Sequence, residues 1–132
     1  MLKRNKRFLL TLLTLALPFG CVGCLDGGSA TYVQISGAEA KALMDSESGY
    51  IIIDARTQEE YDEGHIPGAI LIPEYEIADR AEKELPNKDQ LILVYCRSGR
   101  RSKIAAEELV KLGYTNVKEF GGIIDWEYEI VK

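Results

Sequence analysis

A chain of 132 residues, 46% hydrophobic and 28% charged, has the length and balance of one ordinary globular domain. Its 21 acidic residues outnumber 16 basic ones for a formal net charge of -5, which argues against nucleic-acid binding, since that usually wants a basic face. Three cysteines and one histidine do not make a disulfide framework, and with two of the cysteines in the N-terminal segment they do not make a tetrahedral Cys/His zinc site either.

Residues 1–24 read as an export signal rather than as part of the fold. Lys3, Arg4, Lys6 and Arg7 form a basic start, Phe8 to Leu17 an apolar run, and Phe19 to Cys24 a small-residue end. The run is too short for a comfortable membrane span, which wants ~20 residues. A cysteine directly after glycine at this position resembles the lipobox of bacterial lipoproteins, whose thiol is acylated and becomes the mature N-terminus. Cys24 is preferred over Cys21, because Pro18 stands where that motif usually has leucine before Cys21. The expectation is an extracytoplasmic domain, periplasmic or on the outer face, anchored by its lipid to the bacterial cell membrane. Residues 25–31 then form a short flexible tether and residues 32–132 the domain. Loss of the first 23 residues removes four basic groups and no acidic ones, leaving a net charge of about -9.

Tyr32 to Ile35 opens the domain as a short strand, and Ser36 with Glu39 has capping-box spacing ahead of a helix to Ser46. Tyr50 to Asp54 is a buried strand, and Thr57 with Glu60 is a second capping box for a short helix that Gly64 breaks. The turn from His65 to Gly68 feeds a third strand, Ala69 to Ile72, closed by Pro73. Glu74 to Leu85 is helical, Leu91 to Tyr95 is a fourth strand, and Ser102 to Leu112 is a helix with Ser102 as its hydroxyl N-cap and Gly113 as its stop. Val117 to Phe120 makes a fifth strand, and a short terminal helix follows Trp126. Strands alternating with helices predict an α/β fold with a parallel sheet covered on both faces, in which ligands bind at the carboxyl ends of strands.

Cys96 lies at such an end, just before a helix. Unpaired amides and the positive end of a helix dipole favour anions there, and a thiolate so placed can have its pKa lowered from ~8.5 toward ~3.5 to 7.5. Arg97, Arg100 and Arg101 add positive charge, and Gly99 lets the backbone turn its amides inward as an anion nest. A structural cysteine would not need three arginines in the next five residues. In an acidic domain this basic island predicts a nucleophile working on an anionic substrate. His65 is read as a turn hydrogen-bonder rather than a general base, since a sulfur already held as thiolate needs none. Trp126 and Tyr128 are read as packing residues.

In order along the chain, Ile53 to Arg56, Glu59 to Tyr61, Gly64 to Ala69, Tyr95 to Ser102, and Gly121 to Ile123 with Trp126 resemble the rhodanese family of sulfurtransferases in its small single-domain members. The resemblance covers residues 32–126 and implies a five-stranded rhodanese-like sheet. It makes Cys96 a nucleophile that takes sulfane sulfur from an anionic donor such as thiosulfate, carries it as a persulfide, and passes it to cyanide or a thiol. The amides of Arg97, Ser98, Gly99, Arg100, Arg101 and Ser102 would hold the outer sulfur, with Arg97 and Arg100 drawing in the donor and Arg101 closing the loop. Asp54 and Arg56, by their residues alone open to being an exposed ion pair, would support the edge of the site, with Asp54 holding an arginine of the loop. No cofactor or metal is implied. Two other functions compete. Tyrosine phosphatases and arsenate reductases use a Cys-x5-Arg loop, but Cys96 to Arg101 is Cys-x4-Arg, one residue shorter and better sized for one sulfur than for a phosphate. A non-catalytic binding module of rhodanese type would commonly have lost the cysteine.

Overall fold

The computed structural model describes residues 31–132, so the export signal, Cys21, Cys24 and the tether up to residue 30 lie outside the described residues. Five strands form one parallel sheet in the order β1-β5-β4-β2-β3: β1 Val33–Gln34, β2 Ile51–Asp54, β3 Ile70–Leu71, β4 Ile92–Cys96 and β5 Val117–Gly122. Four α-helices connect them: α1 Gly37–Ser46, α2 Gln58–Glu63, α3 Ile77–Glu84 and α4 Arg100–Lys111. The α/β class and the five parallel strands agree with the sequence reading.

Strand periodicity divides the core in two. Ile53, Ile92, Val94 and Cys96 point to one face and pack with Ile77 and Ala81 of α3 and Ala105, Ala106 and Leu109 of α4. Ile52, Leu93 and Tyr95 point to the other and pack with Ala40 of α1, Ile66, Phe120 and Trp126. Each fully buried Ile or Leu contributes about 1.5–3 kcal/mol relative to exposure. The alternation also sorts the chemistry, sending Cys96 toward α4 and its neighbour Tyr95 toward the opposite layer. Ile51 to Asp54 lie in unbroken register with Ile92 to Tyr95, whereas β4 against β5 shifts register between Val94 and Cys96, so that Cys96 faces Gly122.

Both capping boxes form. The Ser36 hydroxyl accepts from the Glu39 amide while the Glu39 carboxylate accepts from the Ser36 amide, and Thr57 and Glu60 do the same. Three expectations are corrected. Glu74 to Leu85 is not one helix: a 3-10 turn, Glu74–Glu76, follows Pro73 before α3 begins at Ile77, and no side chain caps either start. Ser102 is not the N-cap of α4, because Gly99 takes that position with φ 112°, a left-handed conformation suited to glycine, and Ser102 sits inside the first turn. No terminal helix follows Trp126. A 3-10 turn, Ile123–Asp125, precedes extended chain, and Val131 and His65 exchange backbone hydrogen bonds of 2.8 and 2.9 Å as an antiparallel bridge. The β-branched Ile130 and Val131 suit that extended pairing.

Candidate active site

Cys96 is the last residue of β4 and only 1% exposed, so its sulfur is fixed by the sheet before the loop begins. The chain then passes through exposed Arg97 and Ser98 to buried Gly99. The left-handed turn at Gly99 aims its N–H back at the sulfur, at 2.9 Å from Sγ. Burial pushes the thiol up, but the Ser102 hydroxyl and the amides of Ser102, Gly99 and Ser98 outweigh it and hold the group below its ordinary value. Of the amides expected around Cys96, the turn into α4 brings that of Gly99 into hydrogen-bond contact with the sulfur.

Gly122 braces the loop from below by what it lacks. Its φ of -135° suits any residue, yet a Cβ there would lie 1.9 Å from the Arg97 carbonyl oxygen and 2.6 Å from the Ser98 Cα. Both contacts are backbone, so neither can swing aside. Gly122→Ala is expected to cost roughly 1–3 kcal/mol and to dislodge the Arg97–Ser98 segment. Denaturant melts and the rate of Cys96 alkylation by iodoacetamide both report it; unchanged values for both would refute the close-approach argument.

The three loop arginines do different jobs. Arg101 is held as a bidentate fork on Glu60 of α2, with Nη1–Oε1 at 2.6 Å and Nη2–Oε2 at 2.9 Å. That fork holds the Glu60 carboxyl down at about 2 and raises Arg101, on which the Cys96 charge also acts. Arg97 and Arg100 are exposed, and among the described residues neither joins an ion pair. Arg101 thus ties the loop to α2, while the other two present charge to solvent beside the sulfur.

Asp54 holds no arginine of the loop, contrary to expectation. It is 0% exposed and receives Arg56, two residues on, through the guanidinium, with Nη2–Oδ2 at 2.6 Å, and through the Arg56 amide at 3.0 Å. The pair is not the exposed one that its residues alone left open, because Arg56 is 5% exposed. The Tyr95 hydroxyl donates to Asp54 at 2.6 Å and accepts from the Ile66 amide, and Arg56 donates onward to the Gly64 carbonyl at 2.7 Å. Burial and the Asp54 charge push the Tyr95 phenol well up, keeping it a neutral donor. The network thereby fixes the residue before Cys96 and the turn after α2. His65 lies in that turn as a structural group, its Nδ1 3.0 Å from the Tyr61 carbonyl and its ring stacked on Tyr61. Trp126 packs against Phe120, whereas Tyr128 is 40% exposed and meets Trp126 edge-on.

Glu119 escaped the sequence reading. It is 2% exposed, and its Oε1 accepts from the Ser102 hydroxyl at 2.6 Å and the Gly121 amide at 2.8 Å, directly under the loop. The available signal was its phase: two residues after inward Val117, a strand buried on both faces turns residue 119 inward too. The second role of Glu60 had no such signal, since its capping-box position already accounted for it.

The rhodanese-like domain family matches residues 36–129. The chain is 42% identical over 73 residues to the thiosulfate sulfurtransferase PspE of Escherichia coli, covering 55% of this chain and 70% of that one. It is 34% identical over 97 residues to the thiosulfate sulfurtransferase GlpE of Coxiella burnetii, covering 73% and 88%. The fold is similar to a solved rhodanese with anions from E. coli, with a TM-score of 0.60, 40% identity, and coverage of 63% of this chain and 98% of that one. Some other relatives are larger, and the chain spans 24% of one and 50% of another. With most of residues 31–132 inside the matched region and the cysteine loop built as described, the chain belongs to the rhodanese-like family.

Proposed function

We propose that the protein is a sulfurtransferase that moves a sulfane sulfur from an anionic donor such as thiosulfate, through a Cys96 persulfide, to cyanide or a thiol. The observation that carries this reading is the 2.9 Å contact of the Gly99 amide with Cys96 Sγ, in a loop flanked by exposed Arg97 and Arg100. The Cys96 thiolate attacks the outer sulfur of thiosulfate; a Cys96–sulfur bond forms, the sulfur–sulfur bond of the donor breaks, and sulfite departs with the electron pair. The negative charge now resides on the outer sulfur, where the inward amides at the start of α4 stabilise it. An acceptor thiolate or cyanide then attacks that sulfur, and the Cys96 thiolate is returned as leaving group. No step requires a base, in keeping with the structural placement of His65.

The relatives named thiosulfate sulfurtransferase support the choice of donor. The basic-then-apolar N-terminus supports export, with a lipid on Cys24 (or Cys21) anchoring the domain outside the cytoplasm. Among the described residues no helix is long and apolar enough to cross a membrane. Mass spectrometry after incubation with thiosulfate tests the chemistry. The peptide containing Cys96 is expected to gain ~32 Da, about one sulfur, and to lose it on addition of cyanide. An unmodified Cys96 peptide together with no release of sulfite would overturn the proposal.

A further inference from the structure

Beside the cysteine loop lies an apolar cleft of about 280 Å³ between the end of α2 and the chain that follows β5. Its walls are bonded to both ends of the loop. Ile124 donates its backbone N–H to the Arg97 carbonyl at 3.3 Å, and Glu60 grips Arg101 with both carboxylate oxygens. Ile123 and Ile124 follow directly on Gly122, the residue in register with Cys96, and Ile130 enters from the terminal segment that Val131 and His65 pin in place. Ile124 is 57% exposed and Ile130 46%, and two such side chains meeting in one cleft make a patch rather than scattered apolar residues. Arg56 is committed to Asp54 and to the Gly64 carbonyl, and Glu60 to Arg101. Exposed Glu63 is therefore the charged wall group without an ion pair among the described residues. Two other cavities lie against α1, one beside Lys41 and Met44 and one beside Ala42 and Leu43, and neither is lined by a residue bonded to Arg97 or Arg101.

We propose that this cleft is the acceptor subsite of the sulfur transfer, and that it takes a low-molecular-weight thiol with an apolar arm and no negative charge. The idea rests on the Cys96 persulfide of the proposed reaction. An acceptor must bring its sulfur to the outer sulfur held by the loop, so the rest of the molecule lies against a wall beside the loop, and the isoleucines supply one. The volume sits at the small end of ligand pockets, ~300 Å³, which suits one ring-sized arm. Apolar surface covered by that arm favours binding, and Glu63 repels a carboxylate carried on it. The thiol loses its proton to solvent and its sulfur attacks the outer sulfur of the persulfide. A new sulfur–sulfur bond forms on the acceptor, the bond to Cys96 breaks, and the Cys96 thiolate leaves with the electron pair. The two substrates then meet different chemistry at one loop. Exposed Arg97 and Arg100 suit a dianionic donor, while the wall of Ile123, Ile124, Ile130 and Glu63 suits an acceptor that is apolar and not anionic.

The test compares acceptors on protein loaded with thiosulfate, following loss of the persulfide by mass spectrometry. Benzyl mercaptan supplies an apolar arm, 2-mercaptoethanol lacks one, and 4-(mercaptomethyl)benzoate adds a negative charge to the first. Benzyl mercaptan is expected to discharge Cys96 faster than either. Ile124→Ser keeps the backbone N–H on Arg97 and is expected to lower the ratio of benzyl mercaptan to 2-mercaptoethanol rates by about 3- to 10-fold, the scale of lost apolar contact in an open pocket. Glu63→Lys is expected to shift the ratio of benzyl mercaptan to its carboxylate by about 3-fold or more toward the carboxylate. An unchanged ratio in Ile124→Ser overturns the cleft as acceptor subsite, and an unchanged ratio in Glu63→Lys overturns the charge selection. The wild-type protein gives a further reading that needs no chemistry and no variant. Titration with benzyl methyl sulfide, which cannot accept sulfur, is expected to shift the isoleucine methyl NMR signals of Ile124 and Ile130 and to leave that of Ile35, beside α1, in place. Absence of those shifts overturns the proposal. Because this binding is read without transfer, its failure is distinct from a missing persulfide on Cys96.

Discussion

Cys96→Ala is expected to reduce cyanide-dependent release of sulfite from thiosulfate by roughly 10⁴-fold or more, the scale on which removal of a covalent nucleophile acts. The reason is stoichiometric as well as electrostatic: the proposed cycle passes through a bond to that one sulfur, and Cys96 is the free cysteine among the described residues. The substitution removes a single buried atom at the end of β4, so the stability loss is about 1 kcal/mol and the melting curve remains cooperative. Cys96→Ser is expected to be equally inactive although it fits better, because the amides of the cradle cannot bring a serine hydroxyl near ionisation as they do a thiol. Turnover close to wild type in either folded variant would eliminate the Cys96 persulfide mechanism.

The arginines around this sulfur divide by what holds them. Arg56 and Arg101 are committed to Asp54 and Glu60, so their positive charge is placed without being available to grip a substrate. Exposed Arg97 and Arg100 carry no such partner among the described residues and, in the proposed reaction, would be the groups that a doubly charged donor meets first. A domain that is acidic elsewhere makes this local contrast stronger, since a donor anion is repelled from most other approaches. In the proposed reaction the fixed pair would shape the site and Arg97 and Arg100 would collect the anion.

What could be read from the chain follows from how far apart the interacting residues lie. Ser36 with Glu39, Thr57 with Glu60, and Cys96 with Gly99 are three residues apart, and local spacing revealed all three features. Arg101 and Glu60 are 41 residues apart, as are Tyr95 and Asp54, and only the sheet order β1-β5-β4-β2-β3 brings such pairs together. Sequence pattern gives the period of a strand but not its neighbour, which hides the Tyr95–Asp54 bond; the Asp54–Arg56 pair is local, two residues apart, and the expectation of a loop arginine in its place fails on side-chain direction rather than on sequence distance. Glu119 was missed for a related reason. Its meaning depends on β5 lying beside β4 with a register shift that puts Gly122 against Cys96, a tertiary fact with no local signature. The misplaced N-cap is a different kind of error: hydroxyl preference favours Ser102, but the need for a left-handed turn at Gly99 to aim an amide at sulfur starts the helix earlier.

The support of the site is expected to be far more sensitive than its exposed rim, and Asp54→Ala is the variant that exposes this. Removing the carboxylate leaves the Arg56 guanidinium, 5% exposed, and the Tyr95 hydroxyl without their shared acceptor. Breaking a buried pair from one side typically costs about 3–5 kcal/mol, because the remaining charge is stranded. For a domain of this size the melting temperature should drop by more than about 10 °C. Asp54→Asn, which keeps the shape and an accepting oxygen, is expected to lose less. The decisive comparison is the double variant Asp54→Ala with Arg56→Met: if the cost arises from an uncompensated guanidinium, removing that group restores part of the stability lost in Asp54→Ala, so the two effects are strongly non-additive. Simple additivity, or a melting temperature within about 2 °C of wild type for Asp54→Ala, would show that the network is not what holds Tyr95 and hence does not set the position from which Cys96 emerges.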